Sequence, residues 1–159
     1  MSELAAGMPA PDFCLPDADE ETVCLADLRG AYAVVYFYPK DNTSGCTLEA
    51  RSFSDATDAF AREGAAVFSI SPDSTRSHKR FAEKHNLSVR LLSDPDRRAI
   101  EAYGAWVPKK LYGREYMGVE RSTFIIDPEG KVAAIWRKVK VKGHMAAVLA
   151  KFESLTAGA

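Results

Sequence analysis

Ala31-Tyr32-Ala33-Val34-Val35-Tyr36-Phe37-Tyr38 is an uncharged run, and Pro39-Lys40-Asp41-Asn42-Thr43-Ser44-Gly45-Cys46 follows it directly. The first half is β-branched and aromatic, and it is continuous rather than alternating. That pattern predicts a strand buried on both faces of a sheet. Pro39 has no N–H for a sheet ladder and ends the strand. From about Gly45 to Arg62 the side chains of Cys46, Ala50, Phe53 and Phe60 recur at helical spacing, and Gly64 stops the run. The stretch reads as buried strand, short loop and helix, with Cys46 in the first helical turn.

Working outward, Ala65 to Ile70 is a second apolar run and a second predicted strand. Ser71-Pro72-Asp73-Ser74 breaks the chain and caps a helix through His85. Leu91-Leu92 is a short strand. Asp94-Pro95 starts a helix that Gly104 closes. Arg121 to Ile126 and Lys131 to Trp136 are strands joined by the turn Asp127-Pro128-Glu129-Gly130, and a last helix runs from about His144 to Leu155. Upstream, Phe13-Cys14-Leu15 and Thr22-Val23-Cys24-Leu25 flank a polar stretch and predict a hairpin. Residues 1–10 are expected to be a loose arm. Strands alternating with helices predict an α/β domain: a mixed central sheet flanked by helices, with an N-terminal β-hairpin. That is the outline of a thioredoxin-like fold, and residues 1–159 are expected to form one domain.

The chain has 159 residues, 47% hydrophobic and 27% charged, with a net charge of -1 from 21 basic and 22 acidic residues. That balance supplies no global field for nucleic acid or an anionic membrane. Met1 to Ala10 carries no Lys or Arg and no long apolar run, so no secretory signal is expected. No segment approaches the length of a spanning helix. A cytoplasmic protein is the expectation. The cysteines are Cys14, Cys24 and Cys46, an odd and widely spaced set unlike a secreted disulfide framework. Cys14 and Cys24, among apolar neighbours, are expected to be buried thiols with little redox role. His78, His85 and His144 have no spacing that pairs them with cysteine for zinc, and surface or capping roles are expected.

Cys46 is different because of its position. Free backbone N–H groups and the positive end of the helix dipole face the first helical turn. Both favour thiolate over thiol, and the thiolate is the nucleophile. Thr43 sits where its hydroxyl can reach the sulfur or a small bound oxygen species. Gly45 leaves room for a close backbone approach, and Pro39 can shield the sulfur from water. Against this stands a plainer reading: a core cysteine on an amphipathic helix, with Thr43 as an N-cap.

The pattern Pro39, Thr43, Cys46 after the first long strand resembles the peroxiredoxins, specifically their bacterioferritin-comigratory or PrxQ-like group. Gly118-Val119-Glu120-Arg121-Ser122-Thr123-Phe124 resembles the late strand on which that family carries an arginine. Tyr103-Gly104-Ala105-Trp106, Lys109-Lys110-Leu111-Tyr112-Gly113 and Lys138 to His144 match as well. The likeness runs from about Gly7 to the final helix. It implies a thiol-dependent peroxidase that reduces hydrogen peroxide and organic hydroperoxides. Cys46 would become a sulfenic acid, Arg121 would stabilise the thiolate and the breaking O–O bond, and Thr43 would orient the peroxide. Gly45 and Trp106 are candidate substrate contacts. Trp106, Tyr112 and Tyr116 wall the active-site mouth or pack under a loop.

The likeness implies no metal, haem or flavin. Its partners would be the peroxide and a thiol reductant: thioredoxin, glutaredoxin with glutathione, or another thiol. A monomer or small homodimer is expected. Many members of the group have a resolving cysteine five residues after the first, where this chain has Arg51; others carry it in the next helix, which here has none. Either an outside thiol completes a one-cysteine cycle, or Cys14 or Cys24 substitutes. Glu49, one turn after Cys46, either ties its helix to the final strands or is a solvated carboxylate. Arg137 to Lys142 alternates basic residues with valine and predicts an edge strand. Two other functions are alternatives: a redox sensor passing oxidation from Cys46 to a partner protein, and a non-catalytic interaction domain.

Overall fold

The computed structural model describes residues 4–157. The strands are β1 (Cys14–Pro16), β2 (Thr22–Cys24), β3 (Tyr32–Phe37), β4 (Ala65–Ser71), β5 (Arg90–Ser93), β6 (Trp106–Leu111), β7 (Arg114–Val119), β8 (Ser122–Ile126) and β9 (Val132–Trp136). The helices are α1 (Ser44–Asp55), α2 (Thr57–Arg62), α3 (Thr75–His85), α4 (Arg98–Ala102) and α5 (His144–Ala157). The central sheet has the order β5-β4-β3-β8-β9. β3, β4 and β5 are parallel, while β8 and β9 are antiparallel additions.

β3 is the centre of this sheet for the reason its composition suggests. Ala33, Val35 and Phe37 pack into one core layer, and Val34 and Tyr36 into the other. Each fully buried Val or Phe contributes roughly 1.5–3 kcal/mol of transfer free energy. The layers have different covers. Ala50 and Phe53 of α1, Phe60 of α2, Phe81 of α3 and Phe152 of α5 fill one. The N-terminal hairpin, through Phe13, Leu15, Val23 and Leu25, and α4 fill the other.

Several sequence expectations are corrected. The helix expected from Gly45 to Arg62 is broken at Ala56, where the Ser54 carbonyl accepts from the hydroxyls of Thr57 (2.9 Å) and Ser88 (3.0 Å). Such hydroxyls compete with the helical ladder. Trp106, Tyr112 and Tyr116 belong to a hairpin, not a loop: β6 and β7 pair across Tyr112-Gly113, both at positive φ (52° and 78°). That is the backbone of a tight two-residue hairpin turn. Arg137 to Lys142 forms no strand. Lys138 adopts φ 49° and turns the chain, and the Val139 amide bonds to the Arg121 carbonyl at 3.0 Å.

Of the arm expected to be loose, residues 1–3 lie outside the described residues. Beyond them the chain is tied down: Gly7 N–H to the Val132 carbonyl, Val132 N–H to Met8, and Ala10 N–H to Gly130, at 2.7, 2.9 and 2.9 Å. Among the described residues no helix is long and apolar enough to cross a membrane.

Candidate active site

The site forms where β3 ends. Phe37 is in register with Ser122 of β8, so the chain just before β8 is carried to the loop that follows β3. Arg121 therefore meets the first turn of α1. Cys46 is 1% exposed, and Arg121 Nη2 lies 3.2 Å from its Sγ. The first helical bond of α1 is from Thr47 N–H to the Thr43 carbonyl (2.9 Å), and no side chain caps the helix. Helix geometry thus leaves the amides of Ser44, Gly45 and Cys46 without helical partners at the sulfur's own turn. A Cβ built on Gly45 would come 3.4 Å from Arg121 Nη2, an ordinary contact, so this glycine lies directly against the guanidinium.

Thr43 is exposed, and its hydroxyl donates to the Lys40 carbonyl at 3.1 Å. It occupies the N-cap position without making a capping bond. A hydroxyl that donates its proton keeps its oxygen lone pairs as acceptors. Pro39 is half-buried. With Val107, Pro108, Lys109, Lys138 and Val139 it walls a cleft of about 370 Å³ at Arg121. Burial, and then the Arg121 charge, push the Lys109 ammonium below its usual range. Trp106 lies half-buried beneath Arg97, whose guanidinium carbon is 4.6 Å from the ring centre. Tyr112 projects from the hairpin tip, 96% exposed.

Glu49 is not solvated. It is 1% exposed, and its Oε1 pairs with Arg121 Nη1. One guanidinium fork therefore spans Cys46 and Glu49. No protein donor faces Oε2 among the described residues. Burial outweighs the Arg121 pair and raises the Glu49 carboxyl from its usual 4.5 to about 7. Burial alone would lower Arg121; the charges of Glu49 and then Cys46 overcome it and hold the guanidinium above its ordinary range.

A raised folded-state value means that the folded protein binds the proton more tightly than the unfolded chain. Glu49 therefore contributes stability that is full below about 4.5 and is lost as the pH rises through about 7. His144, lowered to about 4 by burial and by Arg121, has the opposite slope: its contribution is lost as the pH falls from 6.5 through about 4. Glu49→Gln removes only the first. Urea unfolding from pH 5 to pH 8 is expected to show the wild type losing stability relative to this variant as the pH rises. A constant difference would refute the assignment.

The sequence reading missed a second constellation. His78, expected at the surface, is fully buried. Its Nδ1 lies 2.8 Å from Asp41 Oδ2 and its Nε2 lies 3.0 Å from the Leu92 carbonyl. Asp41 also accepts from the Tyr38 hydroxyl and from Ser77 Oγ (2.8 Å), and its amide donates to Asp73 Oδ2 at 2.8 Å. Burial opposes ionisation of Asp41, but these donors, His78 first, hold its carboxyl below the usual range. Asp41, Asp73 and His78 lie within 4.8 Å of one another, yet both ring nitrogens of His78 are engaged by protein oxygens. The cluster fastens the loop carrying Pro39 and Thr43 to α3. No local pattern pairs residues 37 apart, so the sequence signal was limited to a charged residue inside the loop. His144 is buried too, and its Nε2 meets Thr123 Oγ1 at 2.7 Å.

Cys14 and Cys24 correct another expectation. They are neither buried nor thiols: Cys14 is exposed, Cys24 is half-buried, and they form a disulfide with each other. They face one another in the β1–β2 register. Cys46 is the free cysteine.

The sequence pattern of the AhpC/TSA family matches residues 6–135. Peroxiredoxin Bcp of Bacillus subtilis (strain 168) is 49% identical over 153 residues, covering 96% of this chain and 98% of that protein. Peroxiredoxin Bcp of Escherichia coli (strain K12) is 42% identical over 149 residues, 94% of this chain and 96% of that one. A solved structure of Xanthomonas campestris bacterioferritin comigratory protein, studied for alkyl peroxide reduction, matches with TM-score 0.90 at 37% identity. It covers 96% of this chain and 99% of that chain. With a buried cysteine at a helix start under an arginine, these likenesses have one meaning: the chain belongs to the AhpC/TSA family, as one of its Bcp/PrxQ peroxiredoxins, the thiol-dependent peroxidases.

Proposed function

We propose that Cys46 is the peroxidatic thiol and that it reduces hydrogen peroxide and small organic hydroperoxides, with a thiol reductant from outside its own fold restoring it. The observation that carries this reading is the Arg121 guanidinium 3.2 Å from the sulfur of a buried cysteine in the first turn of α1. The Cys46 thiolate attacks one peroxide oxygen, the O–O bond breaks, and the departing oxygen leaves as water or alcohol after taking a proton. Arg121 faces the negative charge as it moves from sulfur to the leaving oxygen. The Thr43 hydroxyl, its proton committed to Lys40, accepts a hydrogen bond from the peroxide and sets its angle of approach. Pro39 and the Val107–Lys109 segment wall the cleft at Arg121, and Gly45, beside the guanidinium, and Trp106, just before that segment, are the candidate substrate contacts.

One thiol then condenses with the sulfenic acid, releasing water, and a second thiol frees Cys46 while the two reductant sulfurs are left as a disulfide. Thioredoxin and glutaredoxin with glutathione are the candidate reductants, in the cytoplasm, for a monomer or small homodimer. The peroxidase reading is favoured over a signalling relay because the relatives are peroxiredoxins. Treating the protein with its Cys14–Cys24 disulfide closed and Cys46 free with one equivalent of hydrogen peroxide, then measuring intact and peptide masses, tests it. One added oxygen on Cys46, removable by a thiol, is expected. Oxidation spread over methionines with Cys46 untouched would end the proposal.

A further inference from the structure

We propose that Cys14 and Cys24 form a second redox site, a dithiol that resolves the sulfenic acid of Cys46 on a second copy of this chain. The proposal rests on the peroxidase reading and says where the restoring thiol comes from. The two cysteines are direct cross-strand partners and are joined, so the pair passes between dithiol and disulfide without rearranging the hairpin. The hairpin does not depend on that bond. Phe13, Leu15, Val23 and Leu25 anchor it in the core. Leu25 N–H bonds to the Phe13 carbonyl and Asp17 N–H to the Glu21 carbonyl, at 2.9 and 2.8 Å. The Asp17 carboxylate pairs with Arg90 at 2.9 Å.

Access favours one cysteine as the point of attack. Cys14 is exposed and lines an open cleft of about 600 Å³ between the hairpin and the segments after β4 and β5. The same cleft carries three acidic groups, Glu20 and Asp96 exposed and Asp94 buried, against one exposed base, Arg98, so its balance is acidic. The surroundings of Cys46 are basic on balance: Lys40 in the preceding loop, and Lys109, Lys138 and Arg121 against Glu120 at the cleft. The two surfaces are complementary in charge.

Within one folded chain the two sites do not meet. Cys46 belongs to the core layer under α1, and the hairpin covers the opposite face of the central sheet. A sheet stands between the sulfurs, so the transfer is between copies. The uncapped first turn of α1 is the element that must open to present the buried sulfur, and turns lacking caps open most readily.

The chemistry balances. Cys14 thiolate attacks the Cys46 sulfenic sulfur of the second copy, giving an interchain Cys14–Cys46 disulfide and, with one proton, water. Cys24 thiolate then attacks the Cys14 sulfur, closing the Cys14–Cys24 disulfide and releasing Cys46 as thiolate. Two electrons leave the hairpin and reduce the sulfenic acid to the thiol. A dithiol reductant, or two equivalents of glutathione, reopens the hairpin and is oxidised in turn.

The test mixes two variants, each reduced and then freed of reductant: Cys46→Ser, which keeps only the hairpin dithiol, and Cys14→Ser/Cys24→Ser, which keeps only Cys46. Hydrogen peroxide is added, free thiols are alkylated, and disulfides are mapped by mass. Closure of one hairpin per peroxide, faster than in Cys46→Ser alone, is expected. Pairing Cys24→Ser/Cys46→Ser with the second variant is expected to trap the interchain Cys14–Cys46 bridge. A hairpin that stays open while Cys46 holds its oxygen overturns the proposal but leaves the peroxidase reading standing. A hairpin that closes equally fast without the Cys46 chain also overturns it. Failure of the Cys14→Ser/Cys24→Ser chain to consume peroxide at all would bring down both.

Discussion

Replacing Cys46 by serine is expected to abolish peroxide consumption, lowering kcat/KM by at least about 10⁴-fold, because the group that forms the bond to oxygen is removed. A serine hydroxyl is not ionised near neutral pH and is a far weaker nucleophile than a thiolate. The fold is expected to survive. The substitution is close in volume, the hydroxyl can accept from Arg121, and a stability change of about 1 kcal/mol is the scale for a buried swap of this kind. Steady-state peroxide assays beside urea unfolding separate the two effects. Wild-type turnover in a folded Cys46→Ser protein would sink the assignment of the nucleophile.

Arg121→Gln has the next largest expected effect, and it acts in two ways. Losing a preorganised charge at the reacting atoms costs about 10²–10³-fold in rate, the scale for one such group. It also strips Glu49, 1% exposed, of its partner. Breaking a buried pair by removing one member costs about 3–5 kcal/mol when the other stays charged. Glu49 already has a carboxyl raised to about 7, so the loss is expected to be smaller at pH 5, where it takes up a proton, than at pH 8. The double variant Arg121→Gln/Glu49→Gln is expected to regain stability at pH 8 and to stay slow. If it regained the rate as well, Arg121 would be a scaffold residue and not part of the chemistry.

The two effects trace to one arrangement. The fork of Arg121 reaches a sulfur with one arm and a carboxylate with the other, and Glu49 holds it in that pose. Glu49 is a positioning residue by this geometry, since its carboxylate acts on Cys46 only through the guanidinium that it holds. The Asp41–His78 cluster has a parallel part on the other side of the loop, fastening the segment that carries Thr43.

Local chemistry made much of this legible. The uncharged run before Pro39 and the helical spacing after Gly45 predicted β3, the loop and the start of α1, and so the place of Cys46. Ser74 caps α3 as its sequence suggests, accepting from Ser77 N–H at 3.1 Å. The failures also have physical causes. The turn Tyr112-Gly113 lacks the asparagine that commonly marks such a hairpin, so its strands read as a loop. The buried state of Glu49, His78 and His144 was not visible, because each charge or ring is held by partners distant in the chain.

By itself the sequence determined the strand–loop–helix unit and with it a cysteine at a helix start, because periodicity, proline and glycine act over neighbouring residues. Arg121 entered at that stage only through family likeness. The tertiary structure alone decided that its guanidinium lies against Cys46, that Glu49 is sealed in with it, and that Cys14 closes on Cys24 rather than reaching Cys46. Those outcomes depend on strand register, of β8 on β3 and of β1 on β2, and on which face of the sheet each element covers. Register is set by packing the whole core at once, which no short stretch of chain encodes.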